Sequence, residues 1–224
     1  MTGERRLILL SGKMLLSRWV CIMKKENGSQ KRYAMVVDLR RCIGCHSCAV
    51  ACKSENRVPL GVFRSWVKII EKGKYPNITR HFLPTLCNQC EHPPCVINCP
   101  VQATWKREDG IVIIDEHRCI GCKYCLASCP YNARYVNPLM PIVQKCYFCH
   151  HRVYAGLEPA CVEVCPARAR IFGDLNNPED EVTKLISKHP FQMLKPEMGT
   201  FPKVYYIAAD LDAMDPFAGR REWT

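Results

Sequence analysis

Sixteen of the 17 cysteines of this chain fall into four tight groups, and this grouping limits the possible folds more than any other feature. Groups one and three share the spacing C-x2-C-x2-C-x3-C, group two is C-x2-C-x4-C-x3-C, and group four is C-x2-C-x11-C-x3-C. Three of the four groups end in Cys-Pro. In chain order the groups consist of Cys42, Cys45, Cys48 and Cys52; Cys87, Cys90, Cys95 and Cys99; Cys119, Cys122, Cys125 and Cys129; and Cys146, Cys149, Cys161 and Cys165.

This spacing is typical of ligands to [4Fe–4S] clusters. Such a cluster needs four converging thiolates, and two intervening residues allow the first three sulfurs to point inward from one looping segment. In two-cluster ferredoxins the fourth cysteine ligates the neighbouring cluster. We expect that cysteine at the start of a helix, where a following proline is tolerated because it needs no N–H partner. Because all sixteen positions are cysteine, the sequence predicts four [4Fe–4S] clusters and no three-iron site.

Two other uses of cysteine fit the pattern less well. Zinc sites usually combine two C-x2-C pairs that lie a dozen or more residues apart, so a zinc-binding interaction module is the weaker hypothesis. A disulfide framework needs oxidative folding and gives no reason for a C-x2-C start in every group. Cys21 lies outside the groups and has no predicted role.

The formal charge of +11 is reduced if clusters are bound. Each cluster with its four thiolates carries about −2, which leaves roughly +3 for the loaded protein. The basic excess therefore predicts counter-charge for the clusters, and no basic run is interleaved with aromatic residues as in nucleic-acid-binding modules. Cations beside the ligands are Arg40, Arg41, Lys53, Arg118, Lys123, Lys145 and Arg152.

Between the groups, apolar runs and turn residues predict an α+β fold. The expected strands cover 33–38, 66–70, 78–83, 111–115 and 204–209, with a further strand after Cys165; those at 66–70 and 78–83 form a β-hairpin in which Trp66 packs. The expected helices run from Cys48 to about Asn56 and over about 178–188. Residues 150–160 should loop out, with His150 and His151 not needed as ligands, and the last dozen residues should form a tail that frays or lies on a partner.

Residues 1–30 differ from the rest of the chain. The apolar stretch from Leu7 to Met23 is interrupted by Lys13 and Arg18, so it is not expected to span a membrane. Arg5-Arg6 before LILL resembles a twin-arginine export signal without a clear cleavage site, and an alternative is that translation starts at Met23.

No catalytic arrangement stands out in the sequence. It contains no Rossmann glycine motif, no phosphate-binding loop, no haem-attachment motif and no Ser–His–Asp or paired-carboxylate arrangement. The chain is therefore expected to carry electrons without transforming a substrate.

Several stretches resemble a known family. DLRRCIGCHSCAVACK, LCNQCEHPPCV, CPVQAT, REDGIVIID, KCYFCHHR, PACVEVCP and LKPEMGT are similar to the iron–sulfur electron-transfer subunits of the dimethyl-sulfoxide-reductase superfamily. The resemblance covers about residues 32–210. CPVQAT, REDGIVIID and LKPEMGT favour its tetrathionate reductase branch, ahead of the polysulfide, thiosulfate and formate-dependent nitrite reduction branches.

The resemblance implies two bacterial 2[4Fe–4S] ferredoxin-like units, one inserted in the other, with a β-hairpin and a C-terminal extension. The outer unit comprises 31–80 and 138–175, the inserted unit 81–137, and the partner-docking extension 176–224. It also implies crossed ligation, in which the last cysteine of each group serves its partner group. The implied ligand sets are site A (Cys42, Cys45, Cys48, Cys165), site B (Cys52, Cys146, Cys149, Cys161), site C (Cys87, Cys90, Cys95, Cys129) and site D (Cys99, Cys119, Cys122, Cys125).

The family also implies partners and a place. The implied partners are a molybdopterin catalytic subunit and a quinol-oxidising membrane anchor. The implied location is peripheral, on the cytoplasmic membrane. Co-export with a signal-bearing partner favours the extracytoplasmic face, and a cytoplasmic location is the alternative. The competing hypothesis for function is a free-standing soluble polyferredoxin.

Overall fold

The computed structural model describes residues 30–215 and the backbone of 220–221. The expectations for Cys21 and for the N-terminal segment before Gln30 lie outside the described residues. The predicted mixture of helices and strands is confirmed. The strands are β1 Tyr33–Asp38, β2 Ser65–Lys74, β3 Asn77–Leu86, β4 Thr104–Lys106, β5 Val112–Ile114, β6 Arg134–Val136, β7 Val143–Lys145, β8 Arg170–Asp174, β9 Phe191–Gln192, β10 Val204–Ile207 and β11 Arg220–Arg221. The helices are α1 Ser47–Glu55, α2 Pro94–Ile97, α3 Tyr124–Ala127, α4 His150–Tyr154, α5 Ala160–Glu163, α6 Glu181–Lys188 and α7 Leu211–Met214, with a 3-10 turn at Pro196–Met198.

The main sheet has the strand order β8-β1-β10-β9. Strand β1 is buried along its whole length, because it pairs with β8 on one side and with β10 on the other. Successive side chains of a strand point to opposite faces. Met35 and Val37 belong to the core that contains several of the grouped cysteines, while Val36 packs in a second core with Val182 of α6. The apolar run YAMVVD is therefore explained by a strand with two covered faces.

The predicted hairpin is confirmed as β2 and β3, which are antiparallel from the Ser65–Leu86 pair to the Lys74–Asn77 pair. Its apolar half packs in the main core, where Trp66 is 5% exposed as expected for a packing residue. Two shorter ladders, β4 with β5 and β6 with β7, connect group two to group three and group three to group four.

Three expectations need correction, one about a helix, one about a loop and one about the C-terminal tail. The predicted helix at 178–188 begins later, at Glu181, because the Asp180 side chain caps it by accepting a hydrogen bond from the Val182 N–H (3.0 Å). The interval 150–160 is not an open loop, since it contains α4. Of the last dozen residues, those that the structure describes are not a free tail: Ala213 is buried, and the backbone of β11 pairs with β2.

The C-terminal segment contributes to the central sheet. Val204 and Tyr206 of β10 are fully buried between β1 and β9, and Tyr206 donates a hydrogen bond to the Pro84 carbonyl (3.0 Å). This strand was predicted, and its packing shows that part of 176–224 stabilises the fold. A docking role for this segment remains a prediction.

Candidate iron–sulfur sites

The loops of groups one and three have the same backbone conformation. Gly44 and His46 in group one have φ of 68° and 59°, and Gly121 and Lys123 at the equivalent positions of group three have φ of 66° and 65°. A Cβ at position 121 would lie 2.1 Å from the Pro141 carbonyl oxygen. Residues with left-handed backbone angles alternate along each loop and curve it. Position 121 needs glycine, because a glycine adopts such angles without steric cost and leaves room for the neighbouring segment.

A one-turn helix separates the third and fourth cysteines in three groups. Helices α2, α3 and α5 each contain the third cysteine and end before the fourth. The expectation that the fourth cysteine starts a helix is therefore wrong. The C-x3-C spacing spans one helical turn, and the proline after the fourth cysteine disfavours helical geometry at that cysteine.

A tight turn follows each Cys-Pro. Gln102, Asn132 and Arg168 occupy the third position after the last cysteine, and all have left-handed φ between 45° and 51°. The next residue is a buried alanine in each case, at 103, 133 and 169. The Ala169 N–H donates to Cys165 Sγ (3.2 Å), so the turn directs a backbone donor at a predicted ligand.

The four sulfur-bearing residues predicted for site A line one cavity. Cys42, Cys45, Cys48 and Cys165 line this cavity together with Arg170 and His46. Burial raises the pKa of the Cys42 thiol, and the neighbouring Cys48 and Cys165 contribute to the rise. The structure thus brings the last cysteine of group four to the first three of group one.

The thiols predicted for site B also lie together. Burial raises the pKa of Cys52 to about 12, and Cys161 and Cys149 raise it further. The pKa of Cys146 is raised by burial and then by Cys52, Cys149 and Cys161. The Asn56 amide, just after α1, lies 3.7 Å from both Cys52 Sγ and Cys149 Sγ, across a separation of 93 residues in the second case. Helix α1 packs against α5, which holds Cys161.

Groups two and three approach each other in the same way. Burial raises the pKa of Cys90 to about 12, with further contributions from Cys87, Cys95 and Cys129, the remaining members of site C. For site D, burial raises the pKa of Cys125, and both Cys95 of site C and Cys119 contribute to the rise. Helix α2, which lies just before Cys99, packs against α3, which carries Cys125.

The predicted sites differ in burial. All four cysteines of site B are buried, as are Cys87 and Cys90 of site C. Site A contains the exposed Cys45, and site D contains the exposed Cys122.

Four buried basic side chains lie among these thiols, and only Lys145 was predicted as counter-charge. Lys145 is fully buried and donates to the carbonyls of Val112 and Cys146 (2.9 Å to the latter). The other three, Arg64, Arg134 and Arg170, are each 6% exposed or less and were missed. The repeated Cys-Pro-x-x-Ala-Arg at 129–134 and 165–170 was the available signal for two of them.

Several cations expected beside the ligands have other partners. Arg40 pairs with Asp38 (2.7 Å), and Arg152 pairs with Glu55 (3.1 Å) and with Glu163. His151 Nε2 contacts the same Glu55 (2.7 Å). Local carboxylates therefore neutralise these side chains, which proximity in sequence does not reveal.

The donor chemistry of these residues fits an anionic iron–sulfur cluster. Thiols are the ligands that such clusters use. Beside them lie the buried nitrogens Nε and Nη1 of Arg170 and Nη2 of Arg134, which have no hydrogen-bond partner among the described residues and can donate to an anion. Ligation requires thiolates, so iron binding must offset the raised thiol pKa values. In the described part of the chain, no three His, Cys, Asp or Glu side chains form a group suited to one metal ion.

Comparison with known proteins identifies the class. The 4Fe-4S dicluster domain family matches residues 78–175, which contain groups two, three and four. With the cysteine loops described above, this defines an iron–sulfur protein of the [4Fe–4S] ferredoxin-like class.

Full-length relatives define the family. The B subunit of the tetrathionate reductase of Salmonella typhimurium is 47% identical over 203 residues, which are 89% of this chain and 81% of that protein. The B component of the polysulfide reductase of Wolinella succinogenes is 43% identical over 180 residues (79% and 94%), and the B subunit of the selenate reductase of Mesobacillus selenatarsenatis is 42% identical over 216 residues (82% and 74%). The chain is a member of the iron–sulfur B-subunit family of the dimethyl-sulfoxide-reductase superfamily, which confirms the resemblance of its motifs. It is an iron–sulfur electron-transfer protein. Among the residues described, none of the helices has the length and apolar character needed to span a membrane.

Proposed function

We propose that this protein carries four [4Fe–4S] clusters and relays electrons from a quinol-oxidising membrane subunit to a molybdopterin catalytic subunit. When bound, such a cluster accepts and releases one electron at a time. The observation that carries the proposal is the cavity lined by Cys42, Cys45, Cys48 and Cys165, because it joins cysteines of the first and last groups in the combination expected for crossed ligation.

The grouping of thiols supports two nested ferredoxin-like units. Helices α1 and α5 bring groups one and four together, and helices α2 and α3 bring groups two and three together. Strands β1 and β8, which flank the inserted segment in sequence, pair in the main sheet. The proposed boundaries are 31–80 with 138–175 for the outer unit and 81–137 for the inserted one, and all sixteen grouped cysteines are ligands.

The buried cations support a linear order A–B–C–D. Arg170 is influenced by Cys48 of site A and Cys161 of site B. Lys145 lies near Cys87 of site C and Cys146 of site B. Arg134 is influenced by Cys95 of site C and Cys125 of site D. Each of the three basic residues therefore lies near two proposed sites, which supports the order A–B–C–D.

Burial supports electron exchange at the two ends. Sites A and D each include an exposed cysteine. The isoleucine between the first two cysteines of groups one and three is also exposed, by 62% at Ile43 and by 65% at Ile120. Exposed apolar side chains beside a redox site suit contact with a partner protein. The middle sites B and C include no exposed cysteine, which limits loss of electrons to other acceptors.

The particular complex is proposed from the relatives. The names of those proteins include tetrathionate reductase and polysulfide reductase, so the catalytic partner is proposed to reduce a sulfur compound of that type. The protein is proposed to lie at the extracytoplasmic face of the cytoplasmic membrane, held there by its membrane partner and exported with it.

The first test is iron content after anaerobic purification and reconstitution. Four clusters require about sixteen iron and sixteen sulfide per chain. A value near eight would contradict the four-cluster proposal, and tightly bound zinc in a colourless protein would support the zinc alternative.

The second test is co-purification from cells that make the whole complex, with detergent present. We expect a large molybdopterin protein and a membrane protein to be retained with the full chain. A monomeric, fully loaded protein that retains neither would instead support a soluble polyferredoxin.

A further inference from the structure

Two buried arginines occupy equivalent positions in the two halves of the proposed row of clusters. Arg134 is the fifth residue after Cys129, and Arg170 is the fifth after Cys165. In both places the chain passes through Cys-Pro, a left-handed turn residue and a buried alanine before the arginine begins a strand. The two side chains are 4% and 2% exposed.

Arg170 lies between sites A and B. It lines the site A cavity with Cys48, and its Nη2 donates to Ser65 Oγ (2.9 Å), which holds the side chain in place. Its Nε and Nη1 are buried and have no hydrogen-bond partner in the described part of the chain. Burial opposes its charge, but Cys48 and Cys161 outweigh this effect and raise the pKa of the guanidinium, so Arg170 remains a cation.

Arg134 has the corresponding place between sites C and D. Its Nη1 donates to Thr104 Oγ1 (3.4 Å), and its Nη2 is buried with no hydrogen-bond partner within residues 30–215. Burial again opposes the charge, while Cys95, Cys125 and Cys87 raise the pKa of the guanidinium above its usual range. In both junctions the arginine is influenced by the third cysteine of each group: Cys48 and Cys161 for Arg170, and Cys95 and Cys125 for Arg134.

We propose that Arg170 and Arg134 are tuning residues, each of which raises the reduction potentials of the two sites that it separates. The inference rests on the proposed function, since it takes sites A to D as cluster sites. Reduction of a site adds one electron and makes and breaks no bond, so the site becomes more negative by one charge. A fixed cation stabilises the more negative state, and it does so more strongly in a buried environment than in water.

Equal placement of the two cations has a consequence for the paired reduction potentials. A cation shared by two sites raises both reduction potentials together, so it makes both sites easier to reduce and leaves the difference between the paired potentials unchanged.

The test uses the full chain with reconstituted clusters and measures potentials by EPR-monitored redox titration, with iron counted on the same samples. In Arg170→Gln we expect two of the four reduction potentials to fall. The equilibrium constant for reduction of each site should decrease about tenfold, which corresponds to 59 mV for a one-electron couple. In Arg134→Gln the other two potentials should fall. Arg170→Lys and Arg134→Lys keep the charge and should stay within about twofold of the native values.

The matched controls are exposed arginines close to the same ligands. Arg168, which lies two residues before Arg170, is replaced in Arg168→Gln. Arg118, which lies beside Cys119 and pairs with Asp115 (3.7 Å), is replaced in Arg118→Gln. Both should change the equilibrium constants by less than about twofold, because solvent screens an exposed charge.

Each outcome decides the inference. Native potentials in the fully loaded glutamine variants would overturn it, as would equal shifts in the lysine and glutamine variants. If the glutamine variants fail to bind clusters, the lysine variants decide. Full iron content with native potentials in the lysine variants supports the role of charge, and loss of iron in the lysine variants as well overturns it. The proposed function is judged separately, by the iron content of the unsubstituted protein: about sixteen iron atoms uphold it even if the arginine variants do not shift.

Discussion

The two middle sites and the two end sites of the proposed row of clusters are built from similar loops but have different surroundings. The four cysteines proposed for site B are all buried, with Cys146 in the main core, whereas the sets proposed for sites A and D include the exposed Cys45 and Cys122. Burial disfavours charge, so a middle site needs internal cations and hydrogen bonds to hold a reduced cluster. An end site is partly solvated and can instead contact a partner. Similar cysteine loops are therefore expected to serve different roles because their surroundings differ.

The largest effect expected from this contrast is on assembly. Cys146→Ser places a hydroxyl in the core and removes a ligand of site B, so iron should be lost from more than one site. The unpaired hydroxyl alone costs about 1–3 kcal/mol, or a fall in Tm of about 2–4 °C for each kcal/mol. Cys45→Ser, at an exposed position of site A, should lose no more than one cluster and change Tm little. Iron analysis and calorimetry measure both, and equal losses would contradict the contrast.

Crossed ligation makes the contrast sharper. Cys165→Ser should remove the same EPR component as Cys45→Ser, because both serve site A, although Cys165 belongs to group four. Cys52→Ser should remove the component that is lost in Cys149→Ser, since both serve site B. If Cys165→Ser matched Cys149→Ser instead, each group would hold its own cluster and the proposed sets would be wrong.

Lys145 tests the junction between the middle sites. Lys145→Met removes a buried cation near Cys87 and Cys146, so the potentials of sites B and C should both fall, by up to about tenfold in the equilibrium constant for reduction. The exposed Lys184 on α6 gives the control, and Lys184→Met should leave all four potentials within experimental error. A shift confined to one site in redox titration would place Lys145 away from the junction.

Gly121 tests an end site. Gly121→Ala adds a Cβ that would lie 2.1 Å from the Pro141 carbonyl oxygen, at φ of 66°, so site D should load poorly while the other sites retain their iron. Gly61 has φ of 81° and no atom within 4 Å of an added Cβ, so Gly61→Ala isolates the cost of backbone conformation, about 1–2 kcal/mol. Iron content measures the difference, which should vanish if the loop around Gly121 can move.

The smallest effect is expected at Asn56. Its amide lies 3.7 Å from Cys52 Sγ and Cys149 Sγ and stabilises negative charge on both sulfurs. Asn56→Leu should lower only the potential of site B, by an amount equivalent to about 0.5–1.5 kcal/mol for a lost hydrogen bond. Redox titration resolves this shift, and a change at sites A, C or D would assign Asn56 a wider role.

The spacing of the cysteines and the alternation of apolar residues determined much of this protein without the structure. They identified the candidate ligands, the hairpin of β2 and β3, and strands β1 and β10, because these features depend on local geometry and on side-chain period. The prediction that the fourth cysteine starts a helix was wrong. In three groups a one-turn helix ends before this cysteine, and the proline that follows it disfavours helical geometry there.

Only the tertiary structure decided which cysteines lie together and which charges accompany them. Arg64, Arg134 and Arg170 are charged residues in a sequence rich in them, and nothing local shows that they are buried while Arg40 and Arg152 pair with carboxylates. Burial depends on contacts between segments far apart in the chain, such as Ser65 with Arg170. The sequence alone determined which side chains can bind iron, and long-range packing decided how those side chains are grouped, shielded and charged.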